Sequence, residues 1–369
     1  MTALSWPDVL ARLTRRESLT EAEAEATLTG VLSGEAAPSQ IGAFLTLLHA
    51  KGETIEEVTG LARAMAAAAV PLPLPPPAEG APDMVVDLVG TGGDRLSSIN
   101  VTTLSALIVA GCGVRVCKHG GRSASSSVGS ADVLEALGVA IEVGPIGVAR
   151  CVSEAGIGFC FAQRFHPAMR YVAPVRRELG VPTIFNFLGP LVNPSRTRYQ
   201  LVGVSDPGMA AIMATVLGTS GSRRAMVIYA DDGLDELSVT SPSTVLELNR
   251  TSDADTDGTG AGFEVTEWRV DPAELGLAPA TLADLRGGDA AFNAAAIRSV
   301  LAGDSGANRD IGLLNAAAAL TVAGAAADLP AGIALAAESL DRGRAATALD
   351  FLVTVSQQAL ADEVAAAGG

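Results

Sequence analysis

Histidine, lysine and aromatic side chains are all scarce in this sequence. Three histidines (His49, His119, His166) are too few for a histidine-based metal site. No nucleophile elbow supports a Ser/His/Asp triad. Lysine is almost absent, because Lys51 and Lys118 are the only two among 25 basic residues. Against 41 acidic residues this leaves a formal charge of −16, which excludes a general binder of nucleic acid or anionic membranes. Four cysteines (Cys112, Cys117, Cys151, Cys160) form no C-x-x-C pair and no zinc spacing, so reduced, mostly buried thiols in a cytoplasmic protein are expected. No apolar run is long enough to span a bilayer, and no basic, apolar leader opens the chain. Asn193-Pro194-Ser195 has proline in the middle and is no glycosylation signal.

What is present is alanine-rich apolar sequence: 49% of the 369 residues are hydrophobic but only 4% aromatic, which suits helices packed closely on a sheet. This length allows one or two domains. Residues 1 to about 70 read as helices. Thr20 is a plausible N-cap, and Ile41, Phe44, Leu45 and Leu48 fall at helical spacing. Thr54 with Glu57 reads as a capping box. Pro71-Leu72-Pro73-Leu74-Pro75-Pro76-Pro77 cannot continue a helix and reads as a linker. From Met84 the pattern changes to alternating strands and helices. Strands are expected at 84–89, 113–117, 139–143 and 225–229, with helices at 101–109 and 131–137. That order predicts an α/β domain with a largely parallel sheet. A hairpin is expected at 245–248 and 263–270, then alanine-rich helix from Ala290.

Three segments carry phosphate or metal chemistry. Lys118-His119-Gly120-Gly121-Arg122-Ser123-Ala124-Ser125-Ser126 follows the second expected strand and combines an ammonium, a guanidinium, adjacent glycines and hydroxyls. Such a loop can wrap a phosphate, although a flexible surface turn has a similar composition. Keeping lysine here, where arginine is the habit of the chain, points to a compact charge. Gly90-Thr91-Gly92-Gly93-Asp94 follows the first strand, and Asn100-Val101-Thr102-Thr103 opens the next helix, whose amides suit an anion. Asn100 also reads as an ordinary N-cap. The Gly90 to Asp94 segment matches neither the dinucleotide fingerprint nor a P-loop. Asp235-Glu236, after a strand and Gly233, can hold Mg2+ through water and substrate phosphates, whereas an isolated acidic pair would be a solvated turn. Asp253-x-Asp255-x-Asp257-Gly258 with Glu264 matches a calcium-loop spacing, but flanking strands and Gly260 favour an acidic hairpin loop.

Taken in order, these segments closely resemble the anthranilate phosphoribosyltransferase family over nearly the whole chain. The resemblance also includes Gly129-Ser130-Ala131-Asp132, His166-Pro167-Ala168-Met169-Arg170, Val175 to Gly180, Phe185 to Pro194, Leu285-Arg286-Gly287-Gly288-Asp289 and Leu313-Leu314-Asn315. It implies a helical domain over residues 1–72, to which 166–194 returns, hinged to an α/β domain over 78–369 that binds phosphoribosyl pyrophosphate. It also implies a homodimer formed through the helical domain, Mg2+ as cofactor, and a transferase that joins phosphoribose to the amine of anthranilate. A pyrimidine-nucleoside phosphorylase of the same superfamily and a transferase for another aromatic amine are the competing readings.

By the same resemblance, phosphoribosyl pyrophosphate is held by Gly90, Gly93, Asp94, Ser98, Asn100, Val101, Thr102 and Thr103. Lys118, His119, Gly120, Gly121, Arg122, Ser123, Ala124, Ser125, Ser126 and Ser130 complete that cradle. Anthranilate falls to Gly90, Gly121, His166, Arg176 and Pro190, with Arg176 gripping its carboxylate. The metal falls to Thr102, Asp235 and Glu236, and no residue is needed as acid or base. The chain departs from the family pattern at Gly121, where the family usually has an asparagine that helps to position anthranilate. Thr102 replaces a serine and keeps the hydroxyl, and Arg95-Leu96-Ser97 replaces a glycine-containing link.

Overall fold

The computed structural model describes residues 5–76, 84–93, 96–122, 128–251 and 262–368. Four helices come first: Trp6–Thr14, Glu21–Leu32, Pro38–Lys51 and Ile55–Ala68. Their starts follow from local chemistry. Thr20 and Glu23 exchange side-chain and backbone bonds in a capping box, as do Thr54 and Glu57. Glu57 is fully buried, takes Lys51 Nζ at 2.8 Å and accepts from the amides of Leu19 and Thr54. One side chain thus ties three segments of the bundle together.

Seven strands form one sheet: β1 (Val85–Gly90), β2 (Arg115–Gly120), β3 (Ile157–Phe161), β4 (Tyr199–Gly203), β5 (Arg224–Ala230), β6 (Ser243–Arg250) and β7 (Phe263–Val270). The order across the sheet is β3-β2-β1-β4-β5-β6-β7, with β1 to β5 parallel and β6 and β7 antiparallel. Strand order reverses between β1 and β4. In open α/β sheets, ligands bind at such a switch point, beyond the carboxyl ends of the strands.

Alternation along β1 sends its side chains to two different cores. Val86 and Leu88 join the helices Val101–Gly111, Ala307–Val322 and Leu329–Asp341 on one face. Val89 joins the other face, where Val202, Met209, Met213 and Val227 merge with Leu28, Phe44, Leu45 and Leu61 of the amino-terminal helices. Val172, Val175, Phe185 and Leu188, from the segment 166–194, lie in this same cluster. The fold is an amino-terminal helical bundle against a larger α/β unit with a mostly parallel sheet.

Several local expectations change. No strand forms at Val139–Val143. The segment is buried but bonded elsewhere, with Ala140 N donating to Ser356 Oγ at 3.1 Å and Gly144 N to Glu363. The long helix Arg344–Gly368 takes its polar groups, and β3 pairs with β2 instead. Strands β3 and β4 were not expected at all. Strand β2 runs three residues beyond its expected end at Cys117, so Lys118, His119 and Gly120 are strand rather than loop. The acidic stretch Asp253 to Gly258 lies outside the described residues. Of the cysteines, Cys117, Cys151 and Cys160 are buried, Cys112 is half-buried, and all are free.

Candidate active site

A cavity of about 250 Å³ opens at the carboxyl ends of β1 and β2, at the switch point. Gly90, Thr91, Gly92 and Gly93 line it from β1, and Lys118 to Arg122 line it from β2. Ser97, Ser98, Asn100 and Thr102 line it before and inside the helix Val101–Gly111. Val128, Gly129 and Ser130, the pair Asp235 and Glu236, and Asn293 complete the walls.

Lys118 is 3% exposed, and its Nζ donates to Leu88 O at 2.5 Å and to Thr102 Oγ1 at 3.1 Å. Burial lowers its pKa to about 8, and Asp87, Glu236 and Asp235 oppose that fall. Asp87 is a member of the site that the sequence reading missed. It is fully buried beneath the cavity, and burial raises its pKa to about 6 against the pull of Lys118. Its carboxylate accepts from His119 N at 3.0 Å and from Asn193 Nδ2 at 2.8 Å. Asp87 and Lys118, on adjacent strands, thus favour each other's charged form, and Lys118 lines the cavity.

Asp235 and Glu236 enter from the turn after β5. Gly92 N donates to Asp235 Oδ2 at 2.7 Å, and a Cβ at Gly90 would collide with that same carboxylate oxygen. Glycine at 90 is thus required by close approach. Burial raises the pKa of Asp235. Leu237 N donates to Asn315 Oδ1 at 3.0 Å, and Asn315 Nδ2 returns a bond to Leu237 O. A buried asparagine thereby fixes the turn that carries both carboxylates. Among the described residues no three His, Cys, Asp or Glu side chains cluster as a ready-made metal cage. Two carboxylates facing a cavity match the sites where Mg2+ completes its shell with water and substrate phosphates.

The expected site residues divide into four groups. Gly90, Gly93, Ser98, Asn100, Thr102, Lys118, His119, Gly120, Gly121, Arg122, Ser130, Asp235 and Glu236 are brought together around the cavity. Val101 and Thr103 are not: their side chains are buried in the core, 0% and 1% exposed. Asp94 and the stretch Ser123, Ala124, Ser125 and Ser126 lie outside the described residues. His166, Arg176 and Pro190 do not line this cavity. Arg122 lines the wall, but its charge is already matched, by Asp132 at 2.5 Å and Glu135 at 2.6 Å.

His119 and His166 form a link from the cavity to the segment 166–194. Their ring centroids are 5.1 Å apart. His119 Nδ1 donates to Gly189 O at 3.1 Å, and both Nε2 atoms are buried without a partner among the described residues. Burial lowers the pKa of His119 to about 3 and that of His166 to about 4, so both rings are neutral at pH 7. Arg176 is half-buried and has no carboxylate partner among the described residues. Its guanidinium donates to Asn186 Oδ1 at 3.1 Å and sits 5.6 Å from the Phe185 ring centroid.

This architecture defines a class. Residues 7–69 match the helical bundle domain of a glycosyl transferase family, and residues 82–346 match the α/β domain of the same family. An anthranilate phosphoribosyltransferase of Salinispora arenicola is 50% identical over 95% of this chain and 97% of its own. One of Roseiflexus castenholzii is 46% identical over 95% of this chain and 98% of its own. The crystal structure of the Thermus thermophilus anthranilate phosphoribosyltransferase superposes with a TM-score of 0.84 at 40% identity, covering 95% of this chain and 99% of that one. The chain belongs to the anthranilate phosphoribosyltransferase family. A Saccharomyces cerevisiae enzyme of that name, solved with phosphoribosyl pyrophosphate and Mg, shares the fold at 24% identity and a TM-score of 0.83.

Proposed function

We propose that this chain transfers the phosphoribosyl group of phosphoribosyl pyrophosphate to the amine of anthranilate, giving N-(5-phosphoribosyl)anthranilate and pyrophosphate. The observation that carries this is that Lys118, the start of the Val101–Gly111 helix and the Asp235–Glu236 pair line one cavity. Such a cavity suits a highly anionic donor that also brings a divalent cation. Mg2+ held by Asp235, Glu236 and the Thr102 hydroxyl would supply charge stabilisation to the departing pyrophosphate. The amine nitrogen attacks C1 of the ribose as a neutral base. The C1–O bond breaks, its electron pair leaves with pyrophosphate, and the new ammonium sheds one proton. Lys118 and the helix amides stabilise the charge that gathers on the leaving oxygens.

Arg176 is proposed to hold the anthranilate carboxylate, since it is a sequestered guanidinium whose polar contact among the described residues is a neutral amide. The acceptor's path is proposed to run along His166 and Pro190 toward Gly121, in keeping with Arg176 lying outside the cavity lining. The homodimer, the hinge at the proline segment between residues 72 and 78, and a cytoplasmic location are proposed on family membership. Among the described residues no helix is long and apolar enough to cross a membrane.

A second reading rests on Gly121. Among the described residues a Cβ built there would meet only Ala162 Cβ at 3.5 Å, which supports room for a substituent on the acceptor ring. One experiment addresses both readings: loss of anthranilate fluorescence on mixing protein, phosphoribosyl pyrophosphate and Mg2+, with and without chelator. Metal-dependent loss is expected. No loss with anthranilate, but turnover of a ring-substituted analogue, would favour the second reading. No turnover of either would refute both.

A further inference from the structure

Asn293 lines the cavity, yet nothing in the sequence marked it. It lies in the first turn of the helix Ala290–Leu301 and is 2% exposed. Gly288 N donates to its Oδ1 at 2.8 Å, and its Nδ2 donates to Asn100 Oδ1 at 2.9 Å. The orientation of both amides follows from these bonds. A backbone N–H can only donate, so the atom of Asn293 facing Gly288 is oxygen and the one facing Asn100 is nitrogen. The atom of Asn100 that receives it is therefore oxygen.

This bond changes what Asn100 does. An asparagine at an N-cap ordinarily turns its side-chain oxygen onto the amide of the second or third helical residue. Asn100 is the N-cap of the Val101–Gly111 helix but makes no such bond, because its oxygen is engaged by Asn293. Val101 N donates to Ile99 O and Thr103 N to Asn100 O. The Thr102 N–H between them makes no hydrogen bond among the described residues. Thr102, whose amide is thus unused among the described residues, lines the cavity with Lys118 at the start of its helix.

The surrounding backbone holds Asn293 in register. Ile99 N donates to Leu285 O at 3.1 Å and Gly287 N to Ser97 O at 2.7 Å, and Ser98 bridges to Arg286. Ser97 adopts a left-handed φ of 52° that L-residues seldom take, so this junction carries strain at the cavity edge. A Cβ at Gly287 would collide with Ser98 O and with Asn293 Oδ1, so only glycine lets the two segments close on each other.

We propose that Asn293 is a positioning residue of the donor site: it draws the Asn100 side chain off its own helix and so leaves the first-turn amide open to the diphosphate of the donor. The inference rests on the reading of the cavity as the phosphoribosyl pyrophosphate site. Without Asn293, the Asn100 oxygen is free to cap its helix and to occupy the place of the diphosphate oxygen.

The test is calorimetric binding of inorganic pyrophosphate with Mg2+ to the full chain, together with steady-state kinetics. Wild type, Asn293→Ala and Asn293→Asp are compared. Asn293→Ala is expected to weaken pyrophosphate and raise the KM for the donor about tenfold, the worth of one charge-assisted hydrogen bond, with the anthranilate KM within about twofold of wild type. Asn293→Asp keeps the volume and the acceptor for Gly288 N but offers no donor to Asn100, and it is expected to lose as much. Wild-type pyrophosphate affinity in either variant, or equal rises in both KM values, would reduce Asn293 to a packing residue and overturn the proposal. Failure of the wild-type chain to bind pyrophosphate at all would instead overturn the assignment of the cavity.

Discussion

On the proposed donor side of the cavity Lys118, Asn100 and Asp235 already have partners in the protein. Lys118 rests on Leu88 O and Thr102 Oγ1, Asn100 on Asn293, and Asp235 on Gly92 N. On the proposed acceptor side the opposite holds. Among the described residues His166 keeps a buried ring nitrogen without a partner and Arg176 touches one neutral amide, and Gly121 offers no side chain. The difference follows from what each side must bind. A flexible, multiply charged donor has to be met by charges and amides fixed in advance, because reorganising them during reaction would add to the barrier. A small rigid aromatic ring needs a shaped, mostly neutral channel and one cation for its carboxylate. Substitutions on the donor side should therefore lower kcat/KM for the donor, and those on the acceptor side should mainly raise the KM for anthranilate.

The largest effect is expected at Lys118. Lys118→Met keeps the length of the stem and removes the charge. At pH 7, kcat/KM for the donor should fall by about a thousandfold, comparable to the loss of a main charge-stabilising donor. The same lysine sets a pH limb. Its pKa is lowered to about 8, so the ammonium is present below that pH and is lost as pH rises through it. Wild-type kcat/KM should decline above about pH 8, and the variant should lack that limb. A pH–rate series on both proteins checks this. A wild-type rate in Lys118→Met would break the comparison, because the donor side would then not depend on its fixed charge.

Arg176→Gln sharpens the contrast. Hydrogen bonds to a charged group are worth roughly 1.5–3 kcal/mol, so the anthranilate KM should rise about 10- to 100-fold. The donor KM and kcat at saturating acceptor should stay within about twofold. Initial rates in both substrates separate the two. A rise in the donor KM instead would remove Arg176 from the acceptor side.

How much of this was legible in the sequence depended on where each residue's chemistry stood out from its surroundings. Lys118 was visible because lysine is so rare here, and Asp235-Glu236 because an acidic pair followed a strand. Asp87 was hidden: it sits within Val85–Gly90, and a carboxylate between apolar neighbours signals nothing until Lys118 and Asn193 are known to face it. Asn293 was hidden because its partner Asn100 is 193 residues away in the chain. At 139–143, alternating apolar residues imitated a strand, although burial under the Arg344–Gly368 helix explains them equally well. Ile157–Phe161 was passed over because a short, wholly buried run has no period to detect. The extra length of β2 mattered most for function, since it turns Lys118 from a loop residue into a buried one and gives it a lowered pKa.

The smallest expected effect is the most informative about the acceptor side. Gly121 is not held by its backbone, because its φ is not among the left-handed values that favour glycine. It is not held by crowding either, because a Cβ would stand at an ordinary 3.5 Å from Ala162 Cβ. Gly121→Asn should thus leave stability within about 0.5 kcal/mol, as surface-like substitutions do. The new amide adds one neutral hydrogen-bond donor beside the acceptor path, worth about 0.5–1.5 kcal/mol, and should lower the anthranilate KM about two- to tenfold. The same side chain fills the space beside Ala162, so anthranilates with a ring substituent should gain less than the parent compound or lose affinity. Measuring KM for anthranilate and for a series of ring-substituted analogues in both proteins tests this directly. If the variant leaves every acceptor unchanged, Gly121 does not face the acceptor. If it penalises only the substituted ones, the glycine sets the range of aromatic amines that the site admits.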